Sequence, residues 1–443
     1  MATGSNSTIL DGLYKQRYPT GLEDLTFRDR PLYAMVTKNT KVGGANATGT
    51  RAYHIPFRYA FPAAVSGNFQ IASNRAAAVS SRVVAWELLT MHQYSFINID
   101  NESLKRSVGN ENAFLELKGF EFDGAVENLA NRLHHFLYGD GTGVIAQVGS
   151  AQQMPSMAVS TLVLFNSEDA TKFSYGDELD ASGTRSSATN RAYNANNHGL
   201  YVGGVNMDAG TLLIVDATGN PALLNGADGI NGITNLDFLI HRGDHQVPGT
   251  LGGTVLDGFQ SWIPSLATGI ASNDSQYTVN RSTAPDLLAG SRYDGSSLGI
   301  EEAMIRAANT VAKKQGKISN YFCTHKKFSD LVSMLSSRGT INFIESSPVS
   351  TPEIGFDGVR IIGANSGAID VIPDYACPGT LAAGMHLDKW VFGSVDDTIR
   401  IMDTDGNETL RQPNADGVSA YWFSYSNLYP TSPRDNVNLT LPL

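Results

Sequence analysis

Several stretches of the chain carry residue types at spacings that could support chemistry. In GSSLG, Gly295–Gly299, Ser297 occupies the nucleophile slot of the pattern GxSxG. A working nucleophile elbow needs a strand before the serine and a helix after it. A helix is expected after Gly299, but RYDG before the serine reads as a short turn, and no HGGG-type oxyanion loop is visible. His325 and His386 leave a triad formally open; Ser296 or Ser297 capping the helix is the plainer reading. The stretch HHFLYGDGTGVIAQVG, His134–Gly149, joins two histidines to glycines 139, 141 and 143. A glycine loop holds phosphate when it precedes a helix, where free amides and the positive dipole end meet the anion. Here the glycines follow a helix, and Gly139 is expected to be its left-handed cap. Adjacent histidines on a helix point about 100° apart and do not share a metal.

His241 and His245 in IHRGDHQ have the i, i+4 spacing of helical metal ligands, with Asp244 beside them. Gly243 interrupts them, and no glutamate stands where HExxH needs its base. DTDGNE, Asp403–Glu408, resembles half a calcium loop, but Glu408 stands where the sharp turn needs glycine, so a turn between strands is expected. No catalytic residue, cofactor or metal is assigned, and the expectation is a protein that is not an enzyme.

The elements that would position such residues come next. The chain has 443 residues, of which 42% are hydrophobic and 17% charged, an ordinary globular mix. Its 44 glycines and frequent asparagines favour turns and β structure. The net charge of −11 excludes a protein that grips nucleic acid over a wide basic surface, but not a container wall facing it. Cys323 and Cys377 form neither a disulfide framework nor a CxxC site. MATGSNSTILDGLYK lacks the pattern of a signal peptide, and no apolar run approaches the roughly 20 residues of a membrane helix. No membrane partner is expected.

Residues 1–50 are mildly basic and turn-rich and read as an extended arm. In RAYHIPFRYAF, residues Tyr53, Ile55, Phe57, Tyr59 and Phe61 alternate with more polar neighbours, the period of a half-buried strand, and Pro56 on the other face suits a sheet edge. After a small-residue connection, RVVAWELLTMHQYSFINI, Arg82–Ile99, reads as a second strand, making a long hairpin. Such a hairpin is marginal alone and needs something to lie on. Tyr53, Ile55, Phe57, Tyr59, Phe61, Trp86 and Leu88 are therefore the candidate inter-subunit contacts.

Between Glu111 and Leu137, apolar residues fall at Leu115, Phe122, Val126, Leu129, Leu133 and Phe136, one face of a long helix, with a bend expected near Gly119 and Gly124. Residues 144–235 read as β structure with long loops, including a hairpin in GTLLIVDATGNPALL turning near Ala217–Pro221. From Ser297 onward the pattern is α/β. A helix is expected at Gly299–Gln315, then a strand in NYFCT, a helix in HKKFSDLVSMLSSRG, and strands in GVRIIG, AIDVIPD, KWVFGS, TIRIMD, YWFSYSNLY and VNLTL.

This order is similar to that of the major capsid proteins of tailed double-stranded DNA bacteriophages, the Hong Kong ninety-seven fold. The motifs that carry the resemblance are MHQYSFINIDNESLKRS, FDGAVENLANRLHHFLYGDGTG, and the pair IDVIPDY and GMHLDKWVFG. It implies an α+β fold in five parts. These are an N-terminal arm at 1–50, an extended loop at 51–98, a peripheral domain at 99–296, an axial domain at 297–383, and a returning β segment at 384–443. The peripheral domain would hold a spine helix at 111–137 and a β-rich elaboration at 151–230. The function implied is self-assembly, through hexamers and pentamers, into an icosahedral shell enclosing phage double-stranded DNA without sequence-specific binding. The implied partners are further copies of the chain, a scaffolding protein, the portal and a cement or decoration protein. The location implied is the virion, after assembly in the bacterial host cytoplasm. An encapsulin-like nanocompartment subunit is the rival within the fold, and a serine hydrolase through Ser297 the rival outside it. Some members crosslink through a lysine on the extended loop; this chain has none between Lys41 and Lys105, so stability is expected from non-covalent contacts.

Overall fold

The structure is a computed structural model. It describes residues 29–40, 42, 53–62, 64–78, 80–107, 117–149, 161–185, 200–215, 233, 235–247, 253–267, 270, 274–337, 359–363, 367–395, 398–403, 409–412 and 416–442. Most of the expected arm, the helix positions Glu111–Glu116, the turn at Ala217–Pro221 and most of DTDGNE lie outside these residues; the described part of the arm, 29–40 and 42, holds a helix at Pro31–Met35 and a strand at Thr37–Asn39.

Three larger sheets carry the chain. The first is built on Gly417–Pro430, a 14-residue strand. Met91–Asp100 pairs antiparallel along it, and Trp390–Ser394, Arg400–Ile401 and Leu410–Arg411 pair with it in turn. Thr37–Asn39 adds a parallel edge beyond Trp390–Ser394. The long helix, Leu117–Tyr138, lies against this sheet. Leu129 and Leu133 are buried on it with Ala125, Ala420 and Trp422, and Phe122 meets Trp422 edge-on at 4.7 Å. The periodicity read from the sequence is therefore the buried stripe.

The second sheet has six antiparallel strands in the order 144–147, 238–241, 178–182, 200–206, 211–215 and 161–163. Its two ends meet. Gly149 N donates to Val163 O at 2.9 Å, Phe165 N donates to Gln147 O at 2.8 Å, and Val148 bridges Leu164. The sheet is thus a closed barrel, filled by Leu162, Leu179, Val202, Leu212, Ile214 and Leu239, each with no exposure. Closure removes the edges that an open six-stranded sheet would present. The sequence reading expected loose β structure here. Thr211–Val215 pairs back onto Leu200–Asn206, so its hairpin turn stands at Met207–Gly210.

The third sheet orders strands 291–294, 437–440, 381–385, 320–323, 367–373 and 359–363, with helices Ile300–Lys313 and His325–Ser337 packed on it. Glu301 and Glu302 stand in the first turn of Ile300–Lys313 and Lys313 in the last, so both ends complement the helix dipole.

One core joins these parts. Leu32, Trp86, Leu88, Leu137, Tyr138, Trp262, Phe322, Trp390 and Leu428 belong to a single buried cluster, drawn from the hairpin, the end of the long helix and two of the sheets. Among the described residues no helix is long and apolar enough to cross a membrane.

The run Arg82–Ile99 is not one strand. It splits into Arg82–Leu88, paired with Tyr53–Ala60, and Met91–Asp100, paired with Gly417–Ser426. Trp86 and Leu88 are buried, and so are Met91, Gln93 and Ile99. The buried positions change from even to odd at Leu89–Thr90, which a single strand of period two cannot do. The two-stranded hairpin thus ends at Leu88.

Candidate functional site

The hairpin is the site the sequence singled out. Its register places Tyr53 opposite Leu88, Ile55 opposite Trp86 and Phe57 opposite Val84. Pro56 is exposed on a strand with a single neighbour, as an edge requires. The apolar row does face one way, but much of it faces this chain. Ile55, Trp86 and Leu88 are buried, and Tyr53 and Phe57 pack half-buried on the same cluster. Phe57 meets Trp86 edge-on at 4.1 Å, Trp86 meets Trp262 edge-on at 5.1 Å, and Tyr53 leans on Tyr429 at 5.9 Å. As inter-subunit candidates, Ile55, Trp86 and Leu88 are therefore corrected: they anchor the hairpin base in its own chain. Trp262, Tyr277 and Tyr429 supply a wall that no local pattern in the sequence places there.

Tyr59 is half-buried, and Phe61 is 70% exposed. Beyond Phe61 the structure shows what sequence reading missed, a helix at Phe69–Ala78. Asn68 caps it, its Oδ1 accepting from Gln70 N at 2.9 Å. The cap was visible in SGNFQIAS, but no apolar stripe followed it to signal a helix. The tip exposes Phe61, Val65, Phe69, Ile71 and Val83, with Phe69 at 86%.

The GDGTG loop is packed. Gly139 is not the left-handed residue; Gly141 at φ +78° and Gly143 at φ +83° are. A Cβ on Gly258 would stand 2.1 Å from Phe136 O and 2.6 Å from Gly139 N, so two backbones cross at the helix end. That close approach explains the glycine at 258. Asp140 Oδ1 accepts from Thr142 N at 3.0 Å and from Thr142 Oγ1 at 2.5 Å, closing the turn. A Cβ on Gly141 would meet Asp257 Oδ1 at 2.1 Å. Asp257 is fully buried and accepts from Ser261 Oγ at 2.7 Å and from Tyr277 Oη. Gly141→Ala is therefore expected to cost about 2 kcal/mol, from left-handed strain and a displaced buried carboxylate, read as a lower urea midpoint.

Beside this loop lies a cavity of about 800 Å³ lined by Arg132, His135, Lys172, Arg185, His241 and Arg281 among others. Each of its arginines and its lysine has a carboxylate. Arg132 pairs with Asp244, Lys172 with Asp169 at 2.7 Å, Arg185 with Asp140, and Arg281 with Asp274 at 2.8 Å. Among the described residues no group of three or more metal-ligating side chains comes together. His241 ends a strand and Gly243 follows at φ +82°, so the helical spacing of His241 and His245 has no helix beneath it.

Burial holds His135 well below its ordinary pKa, helped by His134, Lys172 and His241. Burial and Arg132 do the same to His241. Both groups take up protons less readily folded than unfolded. Stability is then fully present above the unfolded value of about 6.5 and is lost as pH falls below it toward the folded values. The melting temperature is expected to fall between about pH 7.5 and about pH 5.5, and to fall less in a His135→Gln, His241→Gln double variant.

His134 is a core residue. Its Nε2 stands 2.9 Å from Asp374 Oδ1 with both side chains fully buried, and Tyr138 Oη donates to Asp374 Oδ2 at 2.6 Å. Ser297 is exposed. The strand before it exists, Ser291–Asp294, contrary to the turn expected there, and a helix follows. The cap is Gly299, without a side-chain hydrogen bond, so neither Ser296 nor Ser297 caps that helix. His386 Nδ1 is occupied by Lys317 O at 3.0 Å.

Hairpin, long helix on a sheet, and an α/β sheet fed by the last strands define the fold of phage capsid chains. The chain superposes on a chain of the cyanophage A-1(L) capsid asymmetric unit with a TM-score of 0.51 at 10% identity, covering 96% of both chains. Weaker likenesses include Mycobacterium phage Adephagia, with a TM-score of 0.42 at 9% identity over 98% of this chain and 97% of that one. The SrpI encapsulin of Synechococcus elongatus PCC 7942 gives 0.39 at 7% identity over 98% and 94%. The fold assignment rests on the first. No family model matches the sequence, and no curated protein matches it.

Proposed function

We propose that this chain is a phage major capsid protein, which self-assembles through hexamers and pentamers into an icosahedral shell around double-stranded DNA. The observation that carries the reading is the cyanophage capsid likeness, which runs over 96% of both chains. The exposed apolar tip supports it, since a soluble chain seldom leaves such a surface uncovered. In this reading residues 53–88 are the extended loop, Leu117–Tyr138 the spine helix of the peripheral part, and the sheet with Ile300–Lys313 and His325–Ser337 the axial part. The barrel is an elaboration carried beside the spine helix. A scaffolding protein, portal and cement protein are the expected partners, and assembly is placed in the host cytoplasm. Negative-stain electron microscopy and sedimentation of the purified chain, with and without co-expressed head proteins, test this. Closed shells, or rings that convert to shells, are expected. A chain that stays monomeric or dimeric throughout, with an esterase activity lost in Ser297→Ala, would replace this reading with the hydrolase.

A further inference from the structure

The helix His325–Ser337 carries its charges the wrong way round. Its first three residues are His325, Lys326 and Lys327, its first turn has no acidic residue, and its last turn has no basic one. The peptide dipoles already place positive potential at that first turn, so cations there are unfavourable. The helix Ile300–Lys313 on the same sheet has the opposite, favourable arrangement. Among the described residues, none of the three bases forms an ion pair.

Lys327 sharpens the conflict. It is 4% exposed, and its ammonium has no hydrogen-bond partner among the described residues. A buried ammonium without a counter-charge is costly. Helical side chains lean back toward the N-terminus. Lys327 acts on the thiol of Cys323, the last residue of the strand Asn320–Cys323: burial and Asp374 push that thiol up to about 12, and Lys327 draws it down. The ammonium is thus directed at the gap between strand and helix. Asp374 does not pair with it there, its oxygens being engaged by His134, Tyr138 and Ala376 N. Lys327 N donates to Thr324 Oγ1 at 3.4 Å and Phe328 N to Thr324 O at 3.0 Å, but the amides of His325 and Lys326 have no acceptor among the described residues. His325 and Lys326 are exposed, so the gap opens to solvent. Asn320–Cys323 and Gly367–Pro373 run parallel and end there together, Cys323 beside Pro373. The crevice outside the carboxyl ends of such strands is where open α/β sheets hold ligands.

We propose that the first turn of His325–Ser337 binds a phosphate group, held by the amides of His325 and Lys326 and by the ammonium of Lys327. Amides at a helix start with a cation beside them suit a tetrahedral oxyanion. Three bases in one turn call for more than one negative charge, which a phosphate dianion carries and a carboxylate does not. The site belongs to a single chain and does not depend on the shell reading. The free ion and a nucleic-acid backbone are the two sources of this chemistry.

Melting of the purified, unassembled full chain in phosphate and in chloride at equal ionic strength tests the site. Phosphate is expected to raise the midpoint of the wild type by about 2 °C or more beyond its effect on Lys327→Met; the general effect of the salt is common to both. Without phosphate, Lys327→Met is expected to melt no lower than the wild type, since it removes an uncompensated charge and keeps the stem. Lys327→Arg should keep most of the phosphate effect. Calorimetric titration should show phosphate affinity weakened about tenfold or more in Lys327→Met and less in Lys326→Gln, an exposed change that leaves the core alone. Duplex DNA binding, followed by anisotropy, names the source. Binding weakened by Lys327→Met assigns the backbone phosphate, and binding that is absent or unchanged assigns the free ion; both uphold the site. A phosphate effect equal in wild type, Lys326→Gln and Lys327→Met would overturn the proposal. So would an equal rise in acetate, which would give the turn to a carboxylate. Neither result touches the shell reading.

Discussion

Trp86→Ala should lower the stability of the chain by about 3–5 kcal/mol, the usual cost of emptying a large buried aromatic site. Trp86 has no exposed surface and lies between Phe57 and Trp262, at the point where the hairpin base meets the common core. Its neighbours Trp262 and Phe57 are large and held by other contacts, so the site collapses poorly. Trp86 Nε1 has no hydrogen-bond partner among the described residues. Trp86→Phe should therefore cost much less, since it removes no hydrogen bond and keeps most of the ring area. Urea unfolding followed by far-ultraviolet circular dichroism checks both. Equal losses in the two variants would show that the indole edge matters in a way the packing does not explain.

Asp374→Ala should be of similar size, about 3–5 kcal/mol, because it strands partners in a dry interior. The carboxyl group hydrogen-bonds His134 Nε2 at 2.9 Å. It also accepts from Tyr138 Oη, and from Ala376 N at 2.9 Å. This is the tie between the long helix and the loop that follows Gly367–Pro373. A double-mutant cycle with His134→Ala should give a coupling energy well above 1 kcal/mol. Additive losses would mean that the two side chains are merely neighbours.

These two sites show what was and was not legible in the sequence. The helices Leu117–Tyr138 and Ile300–Lys313 declared themselves, because a buried stripe of period 3.6 is a local pattern. Four strands of the third sheet did so as short apolar runs between turns, at 320–323, 359–363, 367–373 and 437–440; Ser291–Asp294, expected as a turn, and Leu381–Met385 did not. The partner of Trp86 was not legible, because Trp262 lies far along the chain and nothing local binds the two. The same holds for His134 and Asp374, which are 240 residues apart. Barrel closure depends on backbone bonds between Gln147–Gly149 and Val163–Phe165, and backbone pairing leaves no mark on residue type. The break at Leu89–Thr90 was legible in principle. The inward positions slip from Trp86 and Leu88 to Met91 and Gln93, and that change of phase is in the sequence. The aromatic rings on the sheet face away from the long helix were half legible: His92, Tyr94 and Phe96 alternate along one strand, but Tyr421, Phe423 and Tyr425 opposite them are named only by the register.

The order in which the chain leaves the ribosome matters for this architecture. Gly417–Pro430 is the strand on which the first sheet is assembled, and Val437–Thr440 lies between 291–294 and 381–385 in the third. The barrel draws all its strands from residues 144–241 and is complete well before either is synthesised. Both sheets wait for the last pieces, and Met91–Asp100 has no strand partner among the described residues until Gly417–Ser426 pairs with it. A polypeptide stopped short of residue 417 would carry a finished barrel and neither of the other two larger sheets complete.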